Sequence, residues 1–243
     1  MVGRGGSKGV PRKNLRQLAG LSLIGFKALA ARRATSCSRL VISTEDPEIQ
    51  DEARRHGVEV PFVRPAHLAS DTASSEDVVR HAIDWFETVE GRSYDAIMLL
   101  EPSSPFARSA DFDAAVALYV ARAASLVVGM REAEVNPLFV GPVTSDGSIS
   151  AIVDNILSLR STRRQAVGRA WTMNGALYLF GWEEFKQTGR IYSDPARSFG
   201  LEMDRYHSVE IEGPADLSYA EWVVENEKID LADWRAALRP AGG

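Results

Sequence analysis

Cysteine occurs once, as Cys37, in the 243 residues. A lone thiol cannot close an intrachain disulfide, and the absence of a C-x-x-C pair or a Cys/His cluster leaves no zinc motif. A reducing, cytoplasmic setting is expected, with Cys37 a buried or partly buried bystander ahead of a strand. No apolar run approaches the roughly 18 residues of a membrane span, and the amino end lacks the apolar core of a secretory signal, so neither membrane insertion nor export is expected. Positive charge is not in excess: the net charge of −5 argues against a general nucleic-acid binder. His56, His67, His81 and His207 show no metal-ligand spacing. Ser103 and Ser104 stand in no nucleophile elbow, which leaves a hydrolase triad without support. Repeats and low-complexity segments are also missing.

What is present reads as an ordinary globular chain, 45% hydrophobic and 25% charged, of a length suited to one principal domain with a small subdomain. Apolar residues Leu23, Phe26 and Ala30 recur at helical spacing, followed by RLVIS (residues 39–43) as a buried strand. Asp46 and Pro47 open a helix that Gly57 ends, and VEVPFV then reads as a strand. Ser74 with Asp77 forms a capping box for a helix bearing Val79, Ile83 and Phe86. AIMLL is a strand, Ser109 caps a helix with Phe112, Val116 and Tyr119, and SLVVG is another strand. Such alternation predicts an α/β fold, a doubly wound, mostly parallel sheet whose ligands bind beyond the carboxyl ends of the strands. The loops at residues 43–46 and 101–105 are the expected site walls.

Turn formers crowd the chain after Gly129: Asn136-Pro137, Gly141-Pro142 and Ser145-Asp146-Gly147. They predict a small subdomain over residues 132–171, inserted in a main domain of residues 1–131 and 172–243. The main domain resumes with strands at NGALYLF and SVEIE and closes with a helix over residues 215–227.

The segment GRGGSKGVPRKN interleaves Gly3, Gly5, Gly6 and Gly9 with Arg4, Lys8, Arg12 and Lys13, and contains no acid. Glycines let backbone amides approach phosphate oxygens, and the cations offset a triphosphate's charge. Its spacing is neither G-x-x-x-x-G-K-[ST] nor G-x-G-x-x-G. Phosphate loops normally follow a strand, yet only residues 1–3 precede Arg4, so the first strand is expected to be missing.

With its neighbours, this segment resembles the signature of the CMP-sialic acid synthetases, the acylneuraminate cytidylyltransferases. The resemblance continues through LSLIGFKALAA, VISTEDPEIQDEARRHGVEVPFVRPAHLASDTASSEDVV, LLEPSSPFARSADFDAAV, MNGALYLF and SVEIEGPADL, in the family's order. It implies a nucleotide-diphospho-sugar transferase-like fold and transfer of CMP from CTP to the anomeric hydroxyl of an acidic nine-carbon sugar, with release of pyrophosphate. Arg4, Ser7, Lys8, Lys13, Asn14, Arg64 and Ser75 would bind CTP, with Lys13 and Arg4 stabilising charge during transfer. Glu101, Arg164, Asn174, Tyr178 and Tyr192 would line the sugar site. Glu210 and Glu212 would hold magnesium, and an activated water or hydroxide would serve as general base. A homodimer formed through the subdomain is also implied.

Four positions depart from the family pattern. Glu101 replaces a Gln, which exchanges an amide donor for an acceptor-only carboxylate. Glu210 and Glu212 replace Asp-x-Asp, and Phe139 stands where relatives carry Lys. Related enzymes activate legionaminic, pseudaminic or Kdo-type acids, and a catalytically impaired nucleotide-binding homologue is the alternative of a different class.

Overall fold

The computed structural model describes residues 1–7, 9–158 and 169–238. A short hairpin, β1 (Gln17–Leu18) and β2 (Leu21–Ser22), leads into helix α1 (Leu23–Arg33), where Ser22 accepts a hydrogen bond from the Gly25 amide. In α2 (Pro47–Arg55) the Asp46 carboxylate accepts from the amides of Glu48 and Ile49, as the Asp-Pro pair predicts. Ser74 caps α3 (Ser75–Trp85) through the Asp77 amide at 3.1 Å. Strand β3 (Ala96–Leu99) and helix α4 (Ser109–Ala121) follow. The cap of α4 differs from expectation, because Arg108 takes the N-cap place and Asp111 reaches back to its amide at 2.8 Å. Ser109 instead donates through its amide and hydroxyl to Asp233.

Beyond β4 (Leu126–Glu132) the chain makes its excursion, which holds α5 (Ser150–Leu157), and returns as β5 (Trp171–Gly181). Helix α6 (Trp182–Thr188), edge strand β6 (Ser198–Glu202) and α7 (Pro214–Glu225) complete the chain order. The main ladder runs β3-β5-β4-β6, with β5 antiparallel to β3 and β4, and β6 parallel to β4. Parallel bridges Val2 to Ser43 and Val41 to Glu59 carry the sheet outward past β3.

The sheet is therefore mostly parallel, but two expectations need correction. Residues 1–3 make a single bridge at Val2 rather than a strand, with the Val2 amide donating to Leu100 O and the Gly3 amide to Ser43 O. RLVIS and VEVPFV, predicted as full strands, pair only through those bridges. SVEIE forms no ladder, and the strand near the carboxyl end lies at Ser198–Glu202.

Helices cover the sheet and enclose a core in which Trp234 is fully buried, packed on Phe26 and Phe106, with its indole N–H donating to Phe26 O at 2.7 Å. Lys27 is just as buried. Its Nζ donates to Ala176 O at 2.9 Å and lies over the Phe112 ring, and burial pushes its ammonium down to about 7.

The excursion between β4 and β5 has a different character. Helix α5 buries none of its side chains. Val140, Val143, Ile149, Val153 and Leu157 are exposed, Leu157 to 73%. Among the described residues no helix is long and apolar enough to cross a membrane.

Candidate active site

Residues 4–7 and 9–14 turn back on themselves beyond the Val2 bridge. The Asn14 amide group donates to Arg4 O at 3.1 Å, tying the two ends of the loop together. Arg12 adopts a left-handed conformation (φ 54) that turns its guanidinium away to Glu48 and Asp46 on α2, at 2.9 and 3.5 Å. Lys13 points the other way. Its Nζ donates to Ile211 O at 2.7 Å and to Glu212 at 3.1 Å, so one ammonium joins the loop to the chain just before α7. Gly9 makes the same junction from the backbone, since a Cβ there would stand 2.0 Å from Glu212 O.

Between this loop and the start of α3 lies a polar cavity of about 370 Å³. Its walls bring together Arg4, Ser7, Lys13, Asn14, Arg64 and Ser75, which are drawn from three separate stretches of sequence. Lys8, of the same predicted set, lies outside the described residues. Glu101, Pro102 and Ser103, from the loop after β3, and Glu212 close the far side. Arg4 reaches Asp71 across the cavity at 2.6 Å. Arg64 is buried and donates to Ser43 through Nε to Oγ at 3.1 Å and through Nη2 to the carbonyl, so it also braces the strand exit.

The predicted sugar-site residues divide. Glu101 and Tyr178 are half-buried and electrostatically coupled, and each has its pKa pushed up, mainly by burial. Glu210 is the next contributor at Glu101, while Lys27 and Lys13 oppose the rise. Tyr192 is 50% exposed, with its hydroxyl 3.6 Å from the sulfur of Met173. Asn174 is fully buried, and its side chain is spent on the fold: Nδ2 donates to Ser208 Oγ, and Oδ1 accepts from the Ala176 amide. Arg164 lies outside the described residues.

Glu210 and Glu212 flank Ile211, which is fully buried and whose amide donates to Ser103 O at 2.8 Å. That anchoring leaves the two carboxylates on the open side without a regular strand. Burial and then Glu212 raise the Glu210 carboxyl, against Lys13 and Arg131. Gly175, at φ +66, leaves the space beside Glu210, where a Cβ would stand 2.8 Å from Oε1. No group of three or more His, Cys, Asp or Glu poised for a metal occurs among the described residues.

Sequence reasoning missed Glu45, Asp71 and Lys27. Glu45 Oε1 accepts from the Gly5 amide at 2.8 Å while its Oε2 is buried without a partner among the described residues. Its signal was its place in the loop after residue 43. Asp71 lay in the quoted ASDTASS block without a role of its own. Lys27 gave no signal beyond a lysine in an apolar helix. Cys37, expected to be at least partly buried, is exposed.

A family model described as cytidylyltransferase matches residues 2–119. A post-translational flagellin modification protein B from Campylobacter coli is 29% identical over 95% of this chain and 96% of its own. A CMP-N,N'-diacetyllegionaminic acid synthase from Legionella pneumophila is 28% identical over 91% of this chain and 93% of its own. Among solved structures, a CMP:2-keto-3-deoxy-manno-octonic acid synthetase complexed with CTP superposes with a TM-score of 0.66 at 14% identity, covering 93% of this chain and 97% of that one, which shows the shared fold. On the matched model and the near full-length relatives, the chain is similar to the cytidylyltransferases, among them synthetases of CMP-activated acidic sugars.

Proposed function

We propose that the protein transfers CMP from CTP to the anomeric hydroxyl of a sialic-acid-type nine-carbon 2-keto acid, with N,N'-diacetyllegionaminic acid the foremost substrate. The observation that carries this reading is the polar cavity in which the loop residues Arg4, Ser7, Lys13 and Asn14 meet Arg64 and Ser75. The substrate rests on the near full-length likeness to a synthase of that product. Arg4, Lys13 and the loop amides bind the triphosphate, and Tyr178, Tyr192 and Glu101 form the sugar side, with Glu101 accepting from hydroxyl or amide hydrogens. In the reaction the anomeric oxygen bonds to the α-phosphorus, the bond to pyrophosphate breaks, and the hydroxyl proton passes to water or hydroxide. Lys13 offsets charge at the α-phosphate.

Glu210 and Glu212 suit a divalent hard cation, because they are neighbouring carboxylates whose repulsion adds to burial in raising the Glu210 pKa, and a cation relieves that repulsion. Magnesium bound there supplies Lewis-acid stabilisation of the phosphate oxygens. One experiment tests the whole reading: pyrophosphate release from CTP and magnesium with a panel of N-acetylneuraminic, N,N'-diacetyllegionaminic, pseudaminic and Kdo acids. Turnover is expected with the nine-carbon acids, fastest with the legionaminic derivative. CTP binding by folded protein without turnover of any acid would identify a silent homologue. In the same assay Glu210→Ala and Glu212→Ala should need more magnesium for half-maximal rate, and unchanged magnesium dependence in both excludes them as ligands.

The exposed apolar residues of the excursion, including Val140, Val153 and Leu157, support a homodimer in which this segment packs on a second copy. Light scattering should give the mass of two chains. A mass of one chain at micromolar concentration rejects the dimer.

A further inference from the structure

Nothing in the packing of α1 calls for a charge at Lys27. Its neighbours Leu23, Ile24, Phe26 and Ala30 are fully buried, and so is the lysine. A methionine or leucine would fill the space without taking an ammonium out of water. The hydrogen bond to Ala176 O and the face of Phe112 offset part of that cost. Two carboxylates also favour the charged form, Glu101 first and Asp111 second. Asp111 is already engaged, because Arg108 donates to it from its amide, Nε and Nη2 at 2.8, 3.1 and 2.8 Å. The Glu101 carboxylate receives no hydrogen bond and joins no ion pair among the described residues.

The backbone brings these two charges to one short stretch of β5, Asn174 to Ala176. Lys27 fastens to Ala176 O. The turn that begins at Glu101 fastens to Asn174 O through Ser104 Oγ at 2.9 Å, and the Ser104 amide closes the turn on Glu101 O. The register that sets Leu99 opposite Tyr178 leads Glu101 toward the same place. Glu101 lines the polar cavity, and Tyr178 and Tyr192 both feel its charge. Of the two cations that favour ionised Glu101, Lys27 acts more strongly than Lys13, which is itself engaged by Ile211 O and Glu212. Glu210 and Glu212 act against that charge.

We infer that Lys27 is a specificity-determining residue that acts through Glu101, an inference that rests on the CMP-transfer reading above. Its buried ammonium is the counter-charge that keeps an acceptor-only carboxylate on the sugar side of the cavity. The site then selects an acid that brings a hydroxyl or acylamino N–H to Glu101, and it turns away one that brings its own carboxylate there. Ionisation is what makes the choice, since a carboxylate can only accept, whereas an amide or a protonated acid also donates. A bond to a charged acceptor is also the stronger kind. Lys27 and Glu101 therefore work as one unit.

Lys27→Met, Glu101→Gln and the double variant test the pairing. NMR of isotope-labelled lysine follows the Lys27 ammonium without any substrate. Because Glu101 favours the charged lysine, Glu101→Gln should lower the Lys27 midpoint from about 7. Asp111 and the Met1 amine, the other charged groups facing Lys27, are the same in both proteins. An unchanged midpoint overturns the inference whatever the substrate, and this arm stands even if Lys27→Met fails to fold. Assayed below that midpoint with the acid that the parent turns over best, Lys27→Met should raise KM for the acid on the order of tenfold and leave calorimetric CTP affinity unchanged. Glu101→Gln should do the same, and the double variant should be no worse than Glu101→Gln alone. A lysine that served packing only would change the melting temperature without this split. Unchanged KM in folded Lys27→Met, or losses that add in the double variant, overturns the inference. If the parent turns over no acid, the CMP-transfer reading fails, and the Lys27 midpoint still decides the pairing.

Discussion

Lys13→Ala lowers kcat by about 10²- to 10³-fold, the usual cost of removing a charge stabiliser from a transition state, while the melting temperature moves by only a few degrees. Among the described residues of the loop, this lysine is the cation whose head group meets the carboxylate stretch, through Ile211 O and Glu212. Its loss has two consequences at once. The developing charge on the α-phosphate loses its counter-charge, and Glu210 loses one of the two cations that favour its ionised form. Protonation of Glu210 should then persist to higher pH, so the acidic limb of the rate profile moves upward in the variant. Lys13→Arg retains the charge and should recover part of the rate. The check is steady-state pyrophosphate release from pH 5 to 9, and a variant within tenfold of the parent would remove Lys13 from the chemistry.

Gly9→Ala should cost about 100-fold in kcat/KM for CTP, because a shift of about 1 Å in a substrate-positioning loop is enough for that loss. The added methyl would lie 2.0 Å from Glu212 O, and a backbone carbonyl has no rotamer into which it can retreat. Either the loop lifts or the Glu212 stretch withdraws, and both separate Lys13 from its partners. Gly6→Ala is the internal control. Nothing lies within 4 Å of a Cβ at Gly6, so its effect on CTP should be small despite a position three residues away. Calorimetric CTP titration of the two variants measures the contrast, and equal losses would mean that the loop tolerates no side chain anywhere, rather than at one crossing.

Local chemistry made part of this fold legible. Asp46 before Pro47 and Ser74 before Asp77 cap their helices in the way a reader of the sequence expects, because a cap is settled within four residues. That Arg4, Ser7, Lys13, Asn14, Arg64 and Ser75 line one cavity was legible through the family resemblance. The direction of β5 was not, since the order and sense of strands depend on partners about fifty residues away in β4 and more than seventy in β3. Glu210 and Glu212 read as strand positions, yet their stretch is held by the Ile211 amide, by Lys13 and by Asp216 instead of a ladder. Asn174 read as a ligand-facing amide, whereas the Ser208 and Ala176 groups that occupy it become visible only in three dimensions. The α4 cap failed more simply: Ser109 is a good capping residue, but Asp233 outbid the helix for it.

The Glu45 contact with Gly5 gives the loop a resident tenant. The Gly5 amide already carries a carboxylate, whose second oxygen is buried without a hydrogen bond among the described residues. An anion that takes the Gly5 amide has to displace Glu45, and its net gain is then the difference between two charge-assisted bonds rather than the whole of one. On the proposed reading, a lone phosphate offering that single exchange competes poorly, whereas a triphosphate that also engages Arg4 and Lys13 would recover the difference, so the Glu45 contact would favour the longer phosphate chain.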